Sequence, residues 1–194
     1  LVNIYFRRKT LIELREAKDY IDKILSSLSD CVWSIDLDKN LIVTNSYFSP
    51  VIEKIYGYSY NEFKKNPDLW REIVLEEDKE ILQENYKNLI TGKITSSIFT
   101  FRIKTSEGEI KWIEQSITIS DTTDGGKRFD GIAKDVTERV NQQTILTRFS
   151  KAIEQSPVSI IVTDNKGNIE YVNPNFEAIT GYTFEEVKGK NPRI

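Results

Sequence analysis

The sequence predicts an α+β fold in which a five-stranded antiparallel sheet carries several short helices on one face. Three observations lead to this prediction: two short β-branched runs come first, helix-start signals follow, and three alternating runs come last. The composition, 39% hydrophobic and 29% charged, is typical of a globular protein with a well-solvated surface.

The first two strands form a predicted hairpin. The runs CVWSID (residues 31–36) and LIVTN (residues 41–45) are apolar and rich in β-branched side chains. The DKN sequence between them favours a turn, so the two runs are expected to pair with each other.

Helical signals occupy the middle of this region. Ser59-x-x-Glu62 follows a Gly57-Tyr58 break and predicts a capping box, in which each side chain bonds the other residue's backbone. Asn66-Pro67 predicts a second helix start, with proline at the first helical position. The acidic LEEDKE segment opens a longer helix that ends at Gly92. We interpret its carboxylates as charges at a helix N-terminus, not as catalytic groups.

Three strands close the region. SIFTFRIKT (residues 97–105) alternates apolar and polar side chains, which is typical of a half-buried strand. IKWIEQSITIS (residues 110–120) repeats the pattern, and FDGIAKDVT (residues 129–137) follows a glycine-rich turn. This order completes the predicted five-stranded sheet.

The chain then repeats its opening. GYSYNEFKKNP, from Gly57, returns as GYTFEEVKGKNP 124 residues further on, again with a capping-box pattern, Thr183-x-x-Glu186. DLDKNLIVTN, from Asp36, aligns with DNKGNIEYVN at an offset of 128, which assigns four extra residues to the segment SYFSPVIEKI. A period of this length indicates a domain-sized unit used twice.

In this order, the motifs resemble the PAS family with its C-terminal PAC half. The first unit contributes Asn45 before Gly57-Tyr58, EED before the long helix, EGEIKWIEQSITI as the PAC hairpin, and the closing Asp135-x-Thr137. The second contributes GNIEYVNPNFEAITGYTFEEVKGKNPRI. The resemblance extends over residues 24–194. It implies a PAS fold flanked by N-terminal and inter-domain helices.

We expect four segments: an N-terminal helix over residues 1–25, a PAS/PAC domain over 26–138, a linker helix over 139–152, and the N-terminal part of a second, incomplete PAS domain over 153–194. A continuous helix between domains would transmit rotation or register, which a flexible linker would not.

The N-terminal helix carries a heptad-like seam. Its 3–4–3–4–3 spacing is formed by Leu11, Leu14, Lys18, Ile21, Leu25 and Leu28. Two interpretations stay open, a coiled-coil homodimer and an amphipathic helix packed on its own domain.

The first nine residues, LVNIYFRRK, also leave two interpretations open. Arg7, Arg8 and Lys9 fit the positive-inside flank of a transmembrane helix that precedes Leu1, which would place the protein on the cytoplasmic side of an inner membrane. They equally fit the start of a surface helix.

A ligand of the first domain would lie between the sheet and the short helices. The predicted lining residues are Tyr47, Phe48, Tyr58, Phe99, Phe101, Ile103, Ile113 and Ile117, and Trp33, Trp70 and Trp112 could add walls. The predicted signal-coupling residues are Asp135 and Thr137, where the last strand meets the linker helix. The ligand itself stays unknown.

Several chemistries are set aside. The chain has no histidine, which removes the commonest metal ligand, the commonest general base and a histidine-ligated haem. By resemblance, flavin photoreceptors of the family carry a cysteine after G-x-N, where this chain has Pro67 and Pro192, so we expect no cysteinyl-flavin adduct. Cys31 is expected to pack as a small buried hydrophobe. The net charge of −3 gives no indication of nucleic-acid binding.

These observations predict a sensory and dimerising module of a signal-transduction protein, without catalytic or metal residues of its own. By resemblance, the output domain in the same chain would be a histidine kinase, as in two-component systems, or a diguanylate cyclase. The alternative is a ligand-free structural spacer that holds partners together or apart.

Overall fold

The structure, a computed structural model, describes residues 2–66 and 68–193. It divides into two compact units, the first ending at Thr137 and the second beginning at Glu138.

The first unit contains a five-stranded antiparallel sheet in the order β2-β1-β5-β4-β3, which confirms the predicted fold class. Short helices lie between β2 and β3, as the sequence predicts. The elements are α1 (Val2–Ser27), β1 (Cys31–Leu37), β2 (Val43–Phe48), α2 (Ile52–Tyr56), α3 (Tyr60–Lys65), α4 (Leu69–Glu72), a 3₁₀ turn (Glu76–Asp78), α5 (Lys79–Ile90), β3 (Ser96–Lys104), β4 (Ile110–Asp121) and β5 (Lys127–Asp135).

The core lies between one face of this sheet and the helices. Side chains alternate along a strand, so Phe99, Phe101 and Ile103 of β3 are all buried on the same face. Helix α5 covers them with Leu82 and Leu89, which lie on one face of the helix and are buried.

One member of the acidic EED segment has a structural role that the sequence did not predict. The Asp78 carboxylate accepts hydrogen bonds from the Arg102 backbone N–H at 2.7 Å, from its Nε at 2.9 Å and from its second guanidinium nitrogen at 2.7 Å. These bonds hold the pKa of Asp78 below its ordinary value, against the effect of burial. Asp78 therefore fixes the start of α5 on β3, and Glu76 and Glu77 remain exposed.

The second unit is smaller. Its elements are α6 (Thr137–Glu154), which begins at the last residue of the first unit, β6 (Ile161–Thr163), β7 (Ile169–Val172), α7 (Pro174–Thr180) and α8 (Phe184–Val187). β6 and β7 form an antiparallel pair, and a small core is built from Ile169, Val172, Phe176 and Val187.

The hydrogen bonds correct the alignment of the two units. Ser49 exchanges hydrogen bonds with the backbone of Val32, and Asn173 makes the same exchange with Ile160, so Ser49, not Asn45, is the counterpart of Asn173. Each hairpin also turns on an aspartate, Asp38 or Asp164, whose Oδ1 accepts two backbone N–H groups.

The four extra residues of the first hairpin are therefore divided between its two strands. In the first strand of the hairpin, Asp38 comes six positions after Val32, whereas Asp164 comes four positions after Ile160. In the second strand, Ser49 comes seven positions after Ile42, whereas Asn173 comes five positions after Asn168. Side chains alternate with a period of two, so an extension of two residues per strand leaves every side chain on its original face.

Both predicted capping boxes are confirmed, Ser59 with Glu62 and Thr183 with Glu186. Helix α6 begins at Thr137, two residues before the predicted linker helix, and ends at Glu154. Asp135 accepts the N–H of Thr137, two residues on, and Glu138 accepts a bond from Gln142 one turn further along. Pro67, the predicted first residue of α4, lies outside the described residues.

The apolar seam of α1 is exposed. Leu11 is 65% exposed, Leu14 67% and Ile21 53%, so these side chains do not pack on their own domain as one interpretation supposed. The side chain of Lys18 lies outside the described part. Within residues 2–66 and 68–193, no helix is long and apolar enough to cross a membrane.

Candidate functional site

A cavity of about 70 Å³ lies in the first unit between the sheet and the helices. Strand β1 contributes two side chains to its lining, each of the other four strands contributes one, and helices α2 to α5 supply the rest. The lining residues are Trp33, Ile35, Phe48, Ile52, Tyr56, Phe63, Trp70, Leu82, Tyr86, Phe101, Gln115 and Phe129.

The structure places only part of the predicted set in this cavity. Phe48 and Phe101 line it, whereas the other predicted core residues pack around it. Those others are Phe99, Ile103, Ile113 and Ile117, which are buried, and Tyr58, which packs edge-on against Phe63.

Tyr47 does not belong to this cavity. It lines a groove on the opposite face of the sheet, with Ser34 and Arg128, because it precedes the inward-facing Phe48 by one residue. Of the three tryptophans, Trp33 and Trp70 line the cavity, and Trp112 does not. The Arg102 guanidinium instead lies 5.4 Å from the centre of a Trp112 ring.

The sequence-based prediction missed the α5 wall and one polar residue. Leu82 and Tyr86 are four residues apart, a spacing that puts them on one face of α5. Gln115 lies between Ile113 and Ile117 at an inward position of β4, and all three are buried. The sequence signal for Gln115 is a polar residue at a position of β4 where the alternating pattern predicts a buried apolar side chain.

Gln115 brings the most distinctive polar group to the cavity. Its side chain is 5% exposed, and among the described residues its amide nitrogen Nε2 donates to no acceptor. Most buried polar groups in folded proteins are hydrogen-bonded, so this amide is a departure that needs a physical reason.

Two tyrosines and a cysteine near the cavity are held in their neutral forms. Burial raises the pKa of the Tyr56 and Tyr86 hydroxyls well above their ordinary value. Cys31 is 1% exposed, and burial raises its pKa to about 11, so the thiol is poorly suited to nucleophilic chemistry. The interior is apolar and uncharged.

A second cluster joins the sheet to the start of α6. Thr137, the first residue of the helix, donates from its backbone N–H at 3.0 Å and from its hydroxyl at 2.6 Å to Oδ1 of Asp135. The N–H of Trp112 on β4 donates to the same hydroxyl at 2.9 Å. The Lys111 ammonium lies 3.3 Å from Oδ2 of Asp135. The two predicted coupling residues are therefore in contact.

The electrostatics of this cluster favour an ionised carboxylate. Burial raises the pKa of Asp135, but the hydrogen bonds from Thr137 and the charge of Lys111 lower it by a larger amount. The pKa of Asp135 therefore lies below its ordinary value. Elsewhere in residues 2–66 and 68–193, no three acidic or cysteine side chains converge to hold a metal ion.

Comparison with known proteins agrees with the fold. A family model described as PAS fold matches residues 45–133, and a second PAS fold model matches residues 147–194. The chain therefore belongs to the PAS family, with two matches in succession.

Over 46 residues the chain is 41% identical to the nitrogen fixation regulatory protein of Klebsiella pneumoniae, a segment that spans 24% of this chain and 9% of that protein.

Two solved structures illustrate the structural likeness. A sensory box histidine kinase/response regulator from Burkholderia thailandensis E264 superposes with a TM-score of 0.53 at 20% identity, covering 68% of this chain and 95% of that one. The N-terminal domain of a diguanylate cyclase with PAS/PAC sensor from Marinobacter aquaeolei gives a TM-score of 0.47 at 18% identity, covering 57% and 97%. The first of these supports the PAS fold.

Proposed function

We propose that this chain is the sensory and dimerising part of a multidomain signal-transduction protein, and that a change in the first unit reaches an output domain through helix α6. One observation carries the proposal: Asp135 and Thr137 bind the first turn of α6 to the ends of β4 and β5. A shift of these strands would therefore move the start of the helix.

The names of two relatives support a signalling role. One is a nitrogen fixation regulatory protein, and the other is a sensory box histidine kinase/response regulator. From the family resemblance, we further propose that the output domain is a histidine kinase or a diguanylate cyclase. We propose no catalytic role for the chain itself.

We propose that α1 pairs with α1 of a second copy. Its apolar residues recur at heptad-like spacing, and Leu11, Leu14, Ile21 and Leu28 are between 45% and 67% exposed. Sedimentation should give a dimer for the chain and a monomer for Leu14→Lys with Ile21→Lys. A monomeric wild-type chain would contradict this part of the proposal. The basic Arg7, Arg8 and Lys9 place the module, in this proposal, on the cytoplasmic side of a membrane.

The coupling is tested by Asp135→Ala, with Asp121→Ala as its matched control. Asp121 pairs with Lys127 at 3.0 Å near the opposite end of β5. In the full-length protein, Asp135→Ala should abolish the response of the output to the signal, and Asp121→Ala should preserve it. Hydrogen exchange should increase in residues 137–143 for the first variant only, with β3 unchanged. An unaltered response in Asp135→Ala would overturn the proposal.

The alternative function, a ligand-free spacer, is favoured by the small volume of the cavity, about 70 Å³. A spacer needs the folded unit and its helices but no signal in the cavity. It predicts that mutations in the cavity wall change stability without changing the output.

A further inference from the structure

We infer that the cavity of the first unit takes the end of a small neutral molecule, whose carbonyl or equivalent oxygen accepts a hydrogen bond from Nε2 of Gln115. This inference deepens the proposed sensory function, on which it rests, by assigning the chemical class of the ligand and the residue that recognises it.

The first argument is the cost of the lone amide. A buried N–H group without an acceptor destabilises a protein, whereas an apolar side chain of the same shape would carry no such penalty. Gln115 lies between two isoleucines that face the same core, so the sheet position itself requires no polar group. An acceptor supplied by a ligand would satisfy the amide.

The second argument is the absence of charge in the lining. None of the lining residues carries a charged side chain, and the tyrosines are held neutral. A carboxylate or ammonium placed there would lose its hydration without gaining a counter-ion, which is strongly unfavourable. The group that enters the cavity is therefore neutral, largely apolar, and has one acceptor.

The third argument is size. An engineered cavity of about 150 Å³ holds one benzene molecule with its six non-hydrogen atoms, so in proportion a volume of 70 Å³ admits roughly three. A flavin ring system or a haem is much larger. The cavity can accept a short ketone, aldehyde or amide, or the corresponding end of a longer molecule.

The rest of a longer ligand has a place to lie. A surface groove of about 500 Å³ between α4 and α5 shares Trp70, Leu82 and Tyr86 with the cavity. The Trp70 and Tyr86 rings, with centroids 5.1 Å apart, separate the two spaces. A change in their rotamers would join them. Charge is confined to the groove, where Arg71 lies over the Trp70 ring at 5.0 Å.

Gln115 should also give the cavity its selectivity. A site built to hydrogen-bond a ligand discriminates strongly against an analogue that lacks the matching group, because its own polar group is then left unpaired. The ratio of carbonyl-compound affinity to the affinity of a hydrocarbon of the same shape should therefore be about tenfold higher with Gln115 than without its amide.

The experiment uses 2-butanone and 2-methyl-1-butene, which have the same shape and differ by C=O against C=CH₂. The full chain, labelled with ¹⁵N, is titrated with each. The ketone should shift the side-chain amide of Gln115 and the indole N–H signals of Trp33 and Trp70, which line the cavity. Trp112, which does not line it, is the internal control.

Two variants make the test specific. Gln115→Leu should fold with equal or higher stability, since it removes the unpaired amide, and should bind the hydrocarbon more tightly than the ketone, because the carbonyl would then lose its hydration without gaining a donor. Gln115→Met, which keeps the length of the side chain, serves if the leucine variant fails to fold. A ratio of ketone affinity to hydrocarbon affinity that is the same in the wild-type chain and in the variants, or no binding of either probe, would overturn the inference.

The outcome is separable from the proposed function. Coupling through Asp135 is measured by the response of the output domain and by hydrogen exchange in α6, and neither measurement uses the two probes. Failure of probe binding with intact coupling removes the ligand class alone. Probe binding without coupling removes the signalling role and leaves a binding site.

Discussion

Ser49 of the first unit and Asn173 of the second occupy equivalent positions in the fold, but the side chain of Asn173 makes more hydrogen bonds than the side chain of Ser49. Each is fully buried and bonds the backbone of the preceding strand region. Asn173 makes two additional bonds from its amide nitrogen, to the carbonyls of Ile153 at 3.2 Å and Val158 at 2.9 Å.

The difference follows from the two side chains. A hydroxyl has one hydrogen to donate, whereas an amide donates two and accepts through its oxygen. Asn173 therefore ties the last turn of α6 to its own unit through Ile153. Ser49 reaches only the first strand, and its hydroxyl is close enough to Cys31 to affect the pKa of that thiol. The repeated position is a helix anchor in one unit and a strand contact in the other.

The largest expected effect comes from removing this anchor. Asn173→Ser should leave the carbonyls of Ile153 and Val158 without this donor in two partly buried hydrogen bonds, and destabilise the second unit by about 3 kcal/mol. Hydrogen exchange should accelerate at Ile160, whose N–H bonds Asn173, and in the C-terminal turn of α6. The matched variant, Ser49→Ala, removes one bond and should cost the first unit about 1 kcal/mol.

Fluorescence separates the two units, because all three tryptophans lie in the first. Asn173→Ser should leave the tryptophan-monitored unfolding of the first unit unchanged. Because Asn173→Ser keeps an oxygen that can accept the Ile160 N–H, unchanged stability of the second unit in this variant would show that the additional amide bonds contribute nothing.

A smaller difference is expected at the repeated Gly-Tyr. Gly57 and Gly181 both adopt φ of 76°, a conformation that costs an L side chain about 1–2 kcal/mol. A Cβ at Gly57 would also lie 2.5 Å from Oγ of Ser106, which donates a 2.6 Å hydrogen bond to the Gly57 carbonyl. Among the described residues, nothing lies within 4 Å of the same atom at Gly181.

Gly57→Ala should therefore destabilise its unit by about 2 kcal/mol, and Gly181→Ala by about 1 kcal/mol. Chemical denaturation followed by fluorescence measures the first, and hydrogen exchange measures the second. If Gly57→Ala combined with Ser106→Ala is no less destabilising than Gly57→Ala alone, the contact with Ser106 is not the cause.

The hairpin turns offer a substitution that should stabilise the protein. Leu41 has φ of 62°, where the second unit has Gly167 with φ of 84°. Leu41→Gly should relieve about 1 kcal/mol of strain, partly offset by the greater flexibility of glycine in the unfolded chain. We expect a net gain of about 0.5 kcal/mol, measured as a higher denaturation midpoint with an unchanged slope. A loss of stability would mean that the Leu41 side chain makes contacts that outweigh the strain.

Sequence patterns predicted the sheet and the capping boxes because those depend on local periodicity and on short-range bonds. The alternation of Phe99, Phe101 and Ile103 required only a period of two. The pairing of Asp78 with Arg102 joins residues 24 positions apart, and no local pattern contains it. Asn45 was wrongly aligned with Asn173 because the alignment relied on the two residues being identical. The equivalence of Ser49 and Asn173 is visible only in their hydrogen bonds to the backbone.

The same reasoning explains the partial success at the cavity. Alternation along β3 placed Phe101 correctly, whereas the adjacent Tyr47 and Phe48 were both predicted to line the cavity and only Phe48 does. Its helical walls, such as Tyr86, depend on how α5 is rotated above the sheet, and this rotation is set by the packed core. Gln115 was overlooked because inward positions were searched for apolar residues only.

The smallest expected effect concerns a feature that the units share. Glu62 and Glu186 each accept the backbone N–H of a capping residue, Ser59 at 2.7 Å and Thr183 at 2.8 Å. These bonds, together with those from the capping hydroxyls, lower the pKa of both carboxyls below the ordinary 4.5.

A lowered pKa means that this stabilisation is complete above the unfolded value and is lost as the pH falls through the folded one. The Ser59 and Thr183 amide signals should therefore titrate together, with midpoints below 4.5. Glu62→Gln and Glu186→Gln should each abolish the titration at their own site only. Because both boxes are exposed and local, clearly different midpoints would show that the surrounding unit, and not the repeated sequence, controls the cap. That result would extend the contrast between Ser49 and Asn173 to the one feature in which the two units are expected to be equivalent.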